Sequence, residues 1–236
     1  MIISLNLIAT NKYIFFLEKM AESIELFFFN NSEIVVIVHT NQDLPNSLSH
    51  NPRIKFIKNT ILHEPWPAPT LKRFHYFYSA KEHIESTDYS FYIDIDSLFV
   101  GDISEEILPE SGIMATVHPV QFGTGTPDRN PNSKAYLPHS AQNRYFCGGF
   151  FGGKSEDFLK MAETLKNNIE DDLSRNVMAL WHDESHINNF LYYNTPTYIF
   201  EPPFASAENY TYTDNIRSKV LFLDKGNFGG HDFFRN

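Results

Sequence analysis

The sequence has one cysteine, Cys147, among 236 residues. No disulfide can form within the chain, Cys-rich zinc sites are ruled out, and the chain fits a reducing compartment. Positive charge is scarce too: 19 Lys and Arg face 29 Asp and Glu, a formal charge of −10. Nucleic-acid binding needs a basic footprint on phosphates, so this balance argues against it. A small phosphorylated ligand stays open, because a bound metal or a few local cations reverse the field inside one cleft. Long apolar runs are also missing. The opening Ile2-Ile3-Ser4-Leu5-Asn6-Leu7-Ile8-Ala9 has no basic residues before it and is far too short to span a bilayer. The expectation is a soluble, cytoplasmic protein without a transmembrane segment.

What abounds is aromatic: 22 Phe and 12 Tyr. Most such residues belong to a core, and the remainder suit the apolar face of a pyranose. The length fits one large α/β domain or two small ones packed tightly. Apolar, β-branched runs predict strands over 2–9, 33–40 and 53–58, with a helix over 12–29. Pro65-Trp66-Pro67-Ala68-Pro69 reads as non-helical, with Thr70 as the N-cap of a helix reaching about Ile84. Tyr89–Ile93 is a fourth strand, ending in Asp94-Ile95-Asp96. Alternating strands and helices describe an open α/β sheet, which binds ligands beyond the carboxyl ends of its strands. The segment 119–146, rich in Pro, Asn, Gly and Ser, reads as a long functional loop. Helices are expected over 155–170 and 183–193, then short strands from 195. The last dozen residues, with Gly226, Gly229 and Gly230 beside Lys225 and Arg235, read as flexible and basic.

Three groups of residues carry chemistry. Asp94 and Asp96, just past a hydrophobic strand, present hard oxygen ligands suited to Mg²⁺ or Mn²⁺ that also takes phosphate oxygens. A strand-end turn with two solvated carboxylates is the alternative. Trp181-His182-Asp183-Glu184-Ser185-His186 places two histidines four apart, yet Asp183 stands where a zinc protease has Glu. An acidic first helical turn also explains that pair, by its fit to the helix dipole. Tyr145-Phe146-Cys147-Gly148-Gly149-Phe150-Phe151-Gly152-Gly153 allows close backbone approach to a ligand, or marks a β-bulge.

Together these blocks resemble the retaining α-1,3-galactosyl- and N-acetylgalactosaminyltransferases, glycosyltransferase family 6, which includes the blood-group A and B enzymes. The resemblance rests on Phe91–Asp96, Met114–Pro119, Ala135–Pro138, Gly148–Gly153 and Trp181–Asn188, and runs from about Leu7 onward. It implies a GT-A fold: a Rossmann-like, mainly parallel sheet flanked by helices with a smaller acceptor-binding part. One domain over 1–236 is expected, with a nucleotide-binding half over about 1–100 and an acceptor-binding, catalytic half over about 101–236. The stem and anchor of the vertebrate enzymes are not seen, which resembles a compact bacterial or phage-type member.

Carried onto this sequence, the resemblance makes Asp94 and Asp96 ligands of Mn²⁺, with Mg²⁺ as the alternative, bridging a UDP diphosphate. Relatives with Asn at both positions work without metal, so two Asp imply metal dependence. Ile8, Ala9, Thr10 and Tyr13 resemble the uridine pocket, and Arg73, or Lys72, the donor-binding arginine. Lys225 and Arg235 are similar to tail cations that close over the diphosphate, in a changed spacing. His118 and Trp181 match acceptor contacts, Asp183 a ligand of donor-sugar hydroxyls, and Glu184 the carboxylate at the anomeric carbon. Gly148 and Gly149 align with positions that tune room around C2 of the donor sugar. Gly149 leaves space for an N-acetyl group, favouring UDP-GalNAc over UDP-Gal, with a terminal galactose, fucosylated or not at O2, as acceptor. Two rivals are a sugar-nucleotide hydrolase and a non-catalytic glycan- or nucleotide-binding protein.

Overall fold

A computed structural model describes residues 1–48, 51–120, 125–141, 144–211 and 217–235. The chain runs β1 (Ile2–Ile8), a 3-10 turn (Asn11–Phe16), α1 (Leu17–Phe27), β2 (Glu33–Thr40) and β3 (Ile54–Thr60). It continues through α2 (Ala68–Leu71), α3 (Arg73–Ser79), α4 (Lys81–Glu85), β4 (Tyr89–Ile93) and β5 (Ser97–Phe99). Then come β6 (Ile113–Val117), β7 (Phe146–Lys154), α5 (Ser155–Ser174), α6 (His182–Tyr193) and β8 (Tyr198–Phe200). The last elements are β9 (Ala205–Ala207), β10 (Val220–Phe222), a 3-10 turn (Lys225–Phe228) and α7 (Gly230–Arg235).

The main sheet has the order β3-β2-β1-β4-β7-β6-β8. All its pairings are parallel except the two made by β7, which runs against β4 and β6. This is the α/β, GT-A-like architecture expected from the resemblance. Leu5, Leu7, Val36 and Phe91 on one face join α1 in one apolar cluster. Ile37, Tyr92 and Phe151 on the other join α3, α5 and α6 in a second. Burying each such side chain is worth about 1.5–3 kcal/mol, so the central strands are held from both faces. Among the described residues no helix is long and apolar enough to cross a membrane.

Several elements differ from the sequence reading. The Pro-rich piece carries the short helix α2, with Thr70 inside it rather than capping it. Proline is tolerated in a first helical turn, where its missing N–H had no partner anyway. The helix expected to reach Ile84 is broken at Lys72 and Ala80 into three pieces. The expected helix 12–29 begins as a 3-10 turn, and α5 runs four residues further than expected, to Ser174. Within the expected loop 119–146, residues 121–124 and 142–143 lie outside the described residues.

A polar chain crosses the sheet on the α3 side. Asn6 donates to Ser90 Oγ at 2.9 Å and to the Phe91 carbonyl at 3.0 Å. Its Oδ1 lies 3.2 Å from His39 Nε2, and Asn59 Nδ2 lies 2.8 Å from His39 Nδ1. Since Asn59 donates to Nδ1, Nε2 carries the proton. Burial lowers the pKa of His39 to about 3.

A histidine depressed in the fold binds a proton in the unfolded chain first, so stability falls as pH drops below about 6.5. The loss continues until the folded pKa near 3 is reached. Urea unfolding between pH 6 and 4 should show the wild type losing about 1.4 kcal/mol per pH unit more than His39→Gln. Parallel pH curves for the two proteins would contradict a buried, neutral His39.

Candidate active site

The carboxyl ends of β1 and β4 open on a cleft of about 210 Å³, the place where open α/β sheets take their ligands. Ile8, Thr10 and Tyr13 form one wall, Arg73, Asp94 and Asp96 the floor, and Lys225 and Arg235 the other side. Ala9 stands behind this wall, fully buried, with its carbonyl accepting from Thr40 Oγ1 at 2.6 Å.

Arg73, 7% exposed at the start of α3, ties the floor together. Its guanidinium lies 4.3 Å from the centre of the Tyr92 ring and donates to the Gly148 carbonyl. Nη2 sits 3.4 Å from Asp94, and Nε 2.9 Å from Asp183 Oδ2. The Arg73–Asp183 pair is close without an aligned N–H···O, which leaves Asp183 Oδ2 free to accept a further donor. Burial opposes the charge on Arg73, but Asp183, Tyr92, Asp94 and Glu184 outweigh it and raise its pKa. Burial pushes Asp183 up to about 7 against the pull of Arg73. Lys72, the alternative to Arg73, pairs with Glu64 at 2.5 Å instead.

Asp183 and Glu184 occupy the first turn of α6, where the helix dipole favours negative charge. Ser185 Oγ turns back to accept the Trp181 N–H at 2.9 Å and secures that end. Asn188 clasps the backbone of Phe146 in both directions, at 2.8 and 2.9 Å, docking α6 on the start of β7. Two residues further along β7, the Gly148 N–H donates to Glu184 Oε2 at 2.9 Å. His182 and His186 do not converge: the first ring packs edge-on against Trp66 at 5.2 Å, and the second lies 3.6 Å from Asp172.

The pairing of β7 with β6 shifts register between Ala115 and Val117, so Cys147–Gly149 bulge. The glycines are therefore both a bulge and part of the site. A Cβ on Gly148 would press on Arg73 and Glu184 at 3.3–3.4 Å. The room beside Gly149 departs from the expectation of space for an N-acetyl group. A Cβ there would fall 2.6 Å from Phe222 Cε1 and 3.0 Å from Asp94 Oδ2, so a phenylalanine ring of this chain already fills it.

Asp96 and Lys225 are brought together by backbone pairing. β10 runs antiparallel to β5, and the Leu223 N–H extends that ladder to the Asp96 carbonyl at 2.9 Å. Lys225 follows two residues later and pairs with Asp96 Oδ2. Burial and Asp94 raise the Asp96 carboxyl while Lys225 pulls it down. The tail, expected to be flexible, is helical and docked. Phe228 and Phe234 each lie 5.0–5.2 Å from the Phe16 ring, Phe234 is buried, and Arg235 stacks 4.3 Å over Trp66. Ring packing between the tail and the 3-10 turn is the cause, and glycine content concealed it.

Two hard carboxylates facing one cleft, held here by Lys225 and Arg73, offer the oxygen ligands that suit a Mg²⁺- or Mn²⁺-type ion. Among the described residues no group of three or more His, Cys, Asp or Glu surrounds such an ion, so its remaining ligands would come from a phosphate or water. His118 and Trp181 stand outside the cleft. The His118 N–H donates to the Tyr145 carbonyl at 2.9 Å, and burial lowers its pKa against the nearby Glu184. Trp181 is 46% exposed at the head of α6. Sequence reasoning missed Trp66, Tyr92 and Phe234 as cleft residues; only the aromatic excess hinted at them.

The sequence profile described as Glycosyltransferase family 6 matches residues 1–228. The chain belongs to glycosyltransferase family 6. This family 6 chain is 27% identical over 231 residues to the rat histo-blood group ABO system transferase 1, covering 94% of the chain and 65% of that protein. It is 29% identical over 164 residues to the Escherichia coli O-antigen biosynthesis glycosyltransferase WbnI, covering 68% and 69%. It is 23% identical over 219 residues to the mouse globoside alpha-1,3-N-acetylgalactosaminyltransferase 1, covering 87% and 61%. The chain thus spans about two thirds of the length of these relatives.

Removing one partner of a buried ion pair typically costs about 3–5 kcal/mol. Arg73→Met should lose that much in chemical denaturation, because Asp183 and the Gly148 carbonyl are left without a cation. A change within about 1 kcal/mol, the size of an exposed pair, would remove Arg73 from its central place.

Proposed function

We propose that this family 6 chain transfers a hexose, GalNAc or Gal, from a UDP-sugar to a terminal galactose of a glycan in α-1,3 linkage with retention. The observation that carries the reading is Arg73, a cleft residue that gathers Asp94, Gly148 and Asp183, three motifs distant in sequence, around one guanidinium. The uridine lies along Ile8, Ala9, Thr10 and Tyr13, whose ring is held at 5.0 Å from Phe234. The diphosphate faces Lys225 and Arg235. Asp94 and Asp96 would hold the divalent ion, which supplies charge neutralisation for the departing UDP.

The chemistry is electrostatic and positional. Asp183 Oδ2, buried with no aligned donor, accepts a hydroxyl of the donor sugar. Glu184, fixed by the Gly148 N–H, stands at the anomeric carbon and stabilises its developing positive charge or attacks it. His118, kept neutral by burial, and the exposed face of Trp181 orient the acceptor hydroxyl. The filled space beside Gly149 removes the steric argument for GalNAc, so both donors belong in the assay.

The test measures UDP release from UDP-GalNAc and UDP-Gal, with Mn²⁺ or EDTA, with and without 2′-fucosyllactose. Turnover that needs Mn²⁺ and rises with the acceptor is expected. Glu184→Gln should lower it by about 10²–10³ while UDP binding survives. Near-normal turnover by that variant would take Glu184 out of the chemistry, and metal-independent turnover would take Asp94 and Asp96 out of the metal role.

A further inference from the structure

Tyr145, immediately before β7, is 2% exposed and held from several sides. Its carbonyl accepts the His118 N–H, and the His118 ring lies 6.1 Å from its own. Gly125, at φ +46, lies so close against the ring that an added Cβ would overlap it. Only a residue without a side chain lets the loop backbone rest there. Yet the phenol hydroxyl, buried in this clamp, has no aligned hydrogen-bond partner among the described residues. Leaving a buried donor unsatisfied costs about 1–3 kcal/mol, a cost that Phe at this position would not carry. The acid facing that hydroxyl is Glu184, which together with burial raises the Tyr145 pKa and so keeps the group a proton donor.

We infer that Tyr145 is a positioning residue: its hydroxyl, aimed by the Gly125 contact, donates to the free side of the Glu184 carboxylate while Gly148 holds Oε2. The inference rests on the reading that Glu184 acts at the anomeric carbon. The two grips come from one strand, three residues apart, so the orientation of the carboxylate is set by β7 and not by the mobility of its own side chain. No atom is transferred to or from Tyr145 in this role.

The experiment uses the isosteric Tyr145→Phe, with kcat and donor KM measured for both hydrolysis of the UDP-sugar by water and transfer to 2′-fucosyllactose. A charge-assisted hydrogen bond predicts that kcat falls by about 10- to 100-fold in both reactions, with donor KM and UDP affinity unchanged. The double variant Tyr145→Phe/Glu184→Gln should be no slower than Glu184→Gln alone, a non-additivity that a general structural defect would not give. Gly125→Ala should lose activity in the same two-reaction pattern. Unchanged kcat in Tyr145→Phe overturns the inference, as does a loss confined to transfer, which would make the hydroxyl an acceptor contact. If Glu184→Gln keeps its turnover, the parent reading fails; if that variant is inactive and Tyr145→Phe is not, this inference alone fails.

Discussion

The site depends on one buried guanidinium. Arg73 is placed by a short helix that starts where the Pro-rich segment ends, and it reaches under β4, β7 and α6 at once. Of the groups it meets, Asp183 is the buried acid that needs a cation, while Asp94 stays partly exposed on the cleft. The aromatic ring of Tyr92 covers one face of the guanidinium, and the Tyr92 hydroxyl donates to Asp94 at 2.5 Å, so the same pair of side chains orients the carboxylate on the cleft floor. Arginine suits this position better than lysine because its planar fork serves several acceptors in fixed directions.

Charge in this chain is arranged against its average. A net −10 protein builds a cleft lined by Lys225 and Arg235 together with Glu64, Asp94 and Asp96. The cations belong to the tail, and the tail is fixed by the three-stranded sheet of β5, β10 and β9. Because the ladder that seats β10 also reaches Asp96, the distance between acid and lysine is set by backbone hydrogen bonds. A diphosphate entering this cleft would exchange Asp96 for phosphate as the partner of Lys225, a change of acceptor and not a new burial of charge.

The central strands were legible because their apolar runs are nearly continuous, as strands covered on both faces must be. Asp94 and Asp96 were legible as cleft residues because they follow the carboxyl end of a buried strand, where an open α/β sheet has its crevice. What escaped the sequence depends on contacts between distant segments. The break at Ala80 follows no proline or glycine, and the docking of the tail depends on Phe16, Phe228 and Phe234 meeting in space. Glycines at 226, 229 and 230 suggested freedom, whereas Gly229, at φ +102, closes a turn and Asp224 caps it by accepting from Gly226 at 2.8 Å.

Gly149 shows why a glycine in a motif does not equal an empty space. In sequence it promises room for a larger sugar substituent. In the fold that room is occupied by Phe222, delivered from the opposite end of the chain by β10, the strand that also seats Lys225. The room around Gly149 is therefore a joint property of β7 and the strand leading to the tail. A Cβ at Gly149 alone would collide with Phe222, so the room at this glycine is coupled to how β10 packs. That room depends on contacts from the far end of the sequence and cannot be read from the Gly-Gly pair by itself.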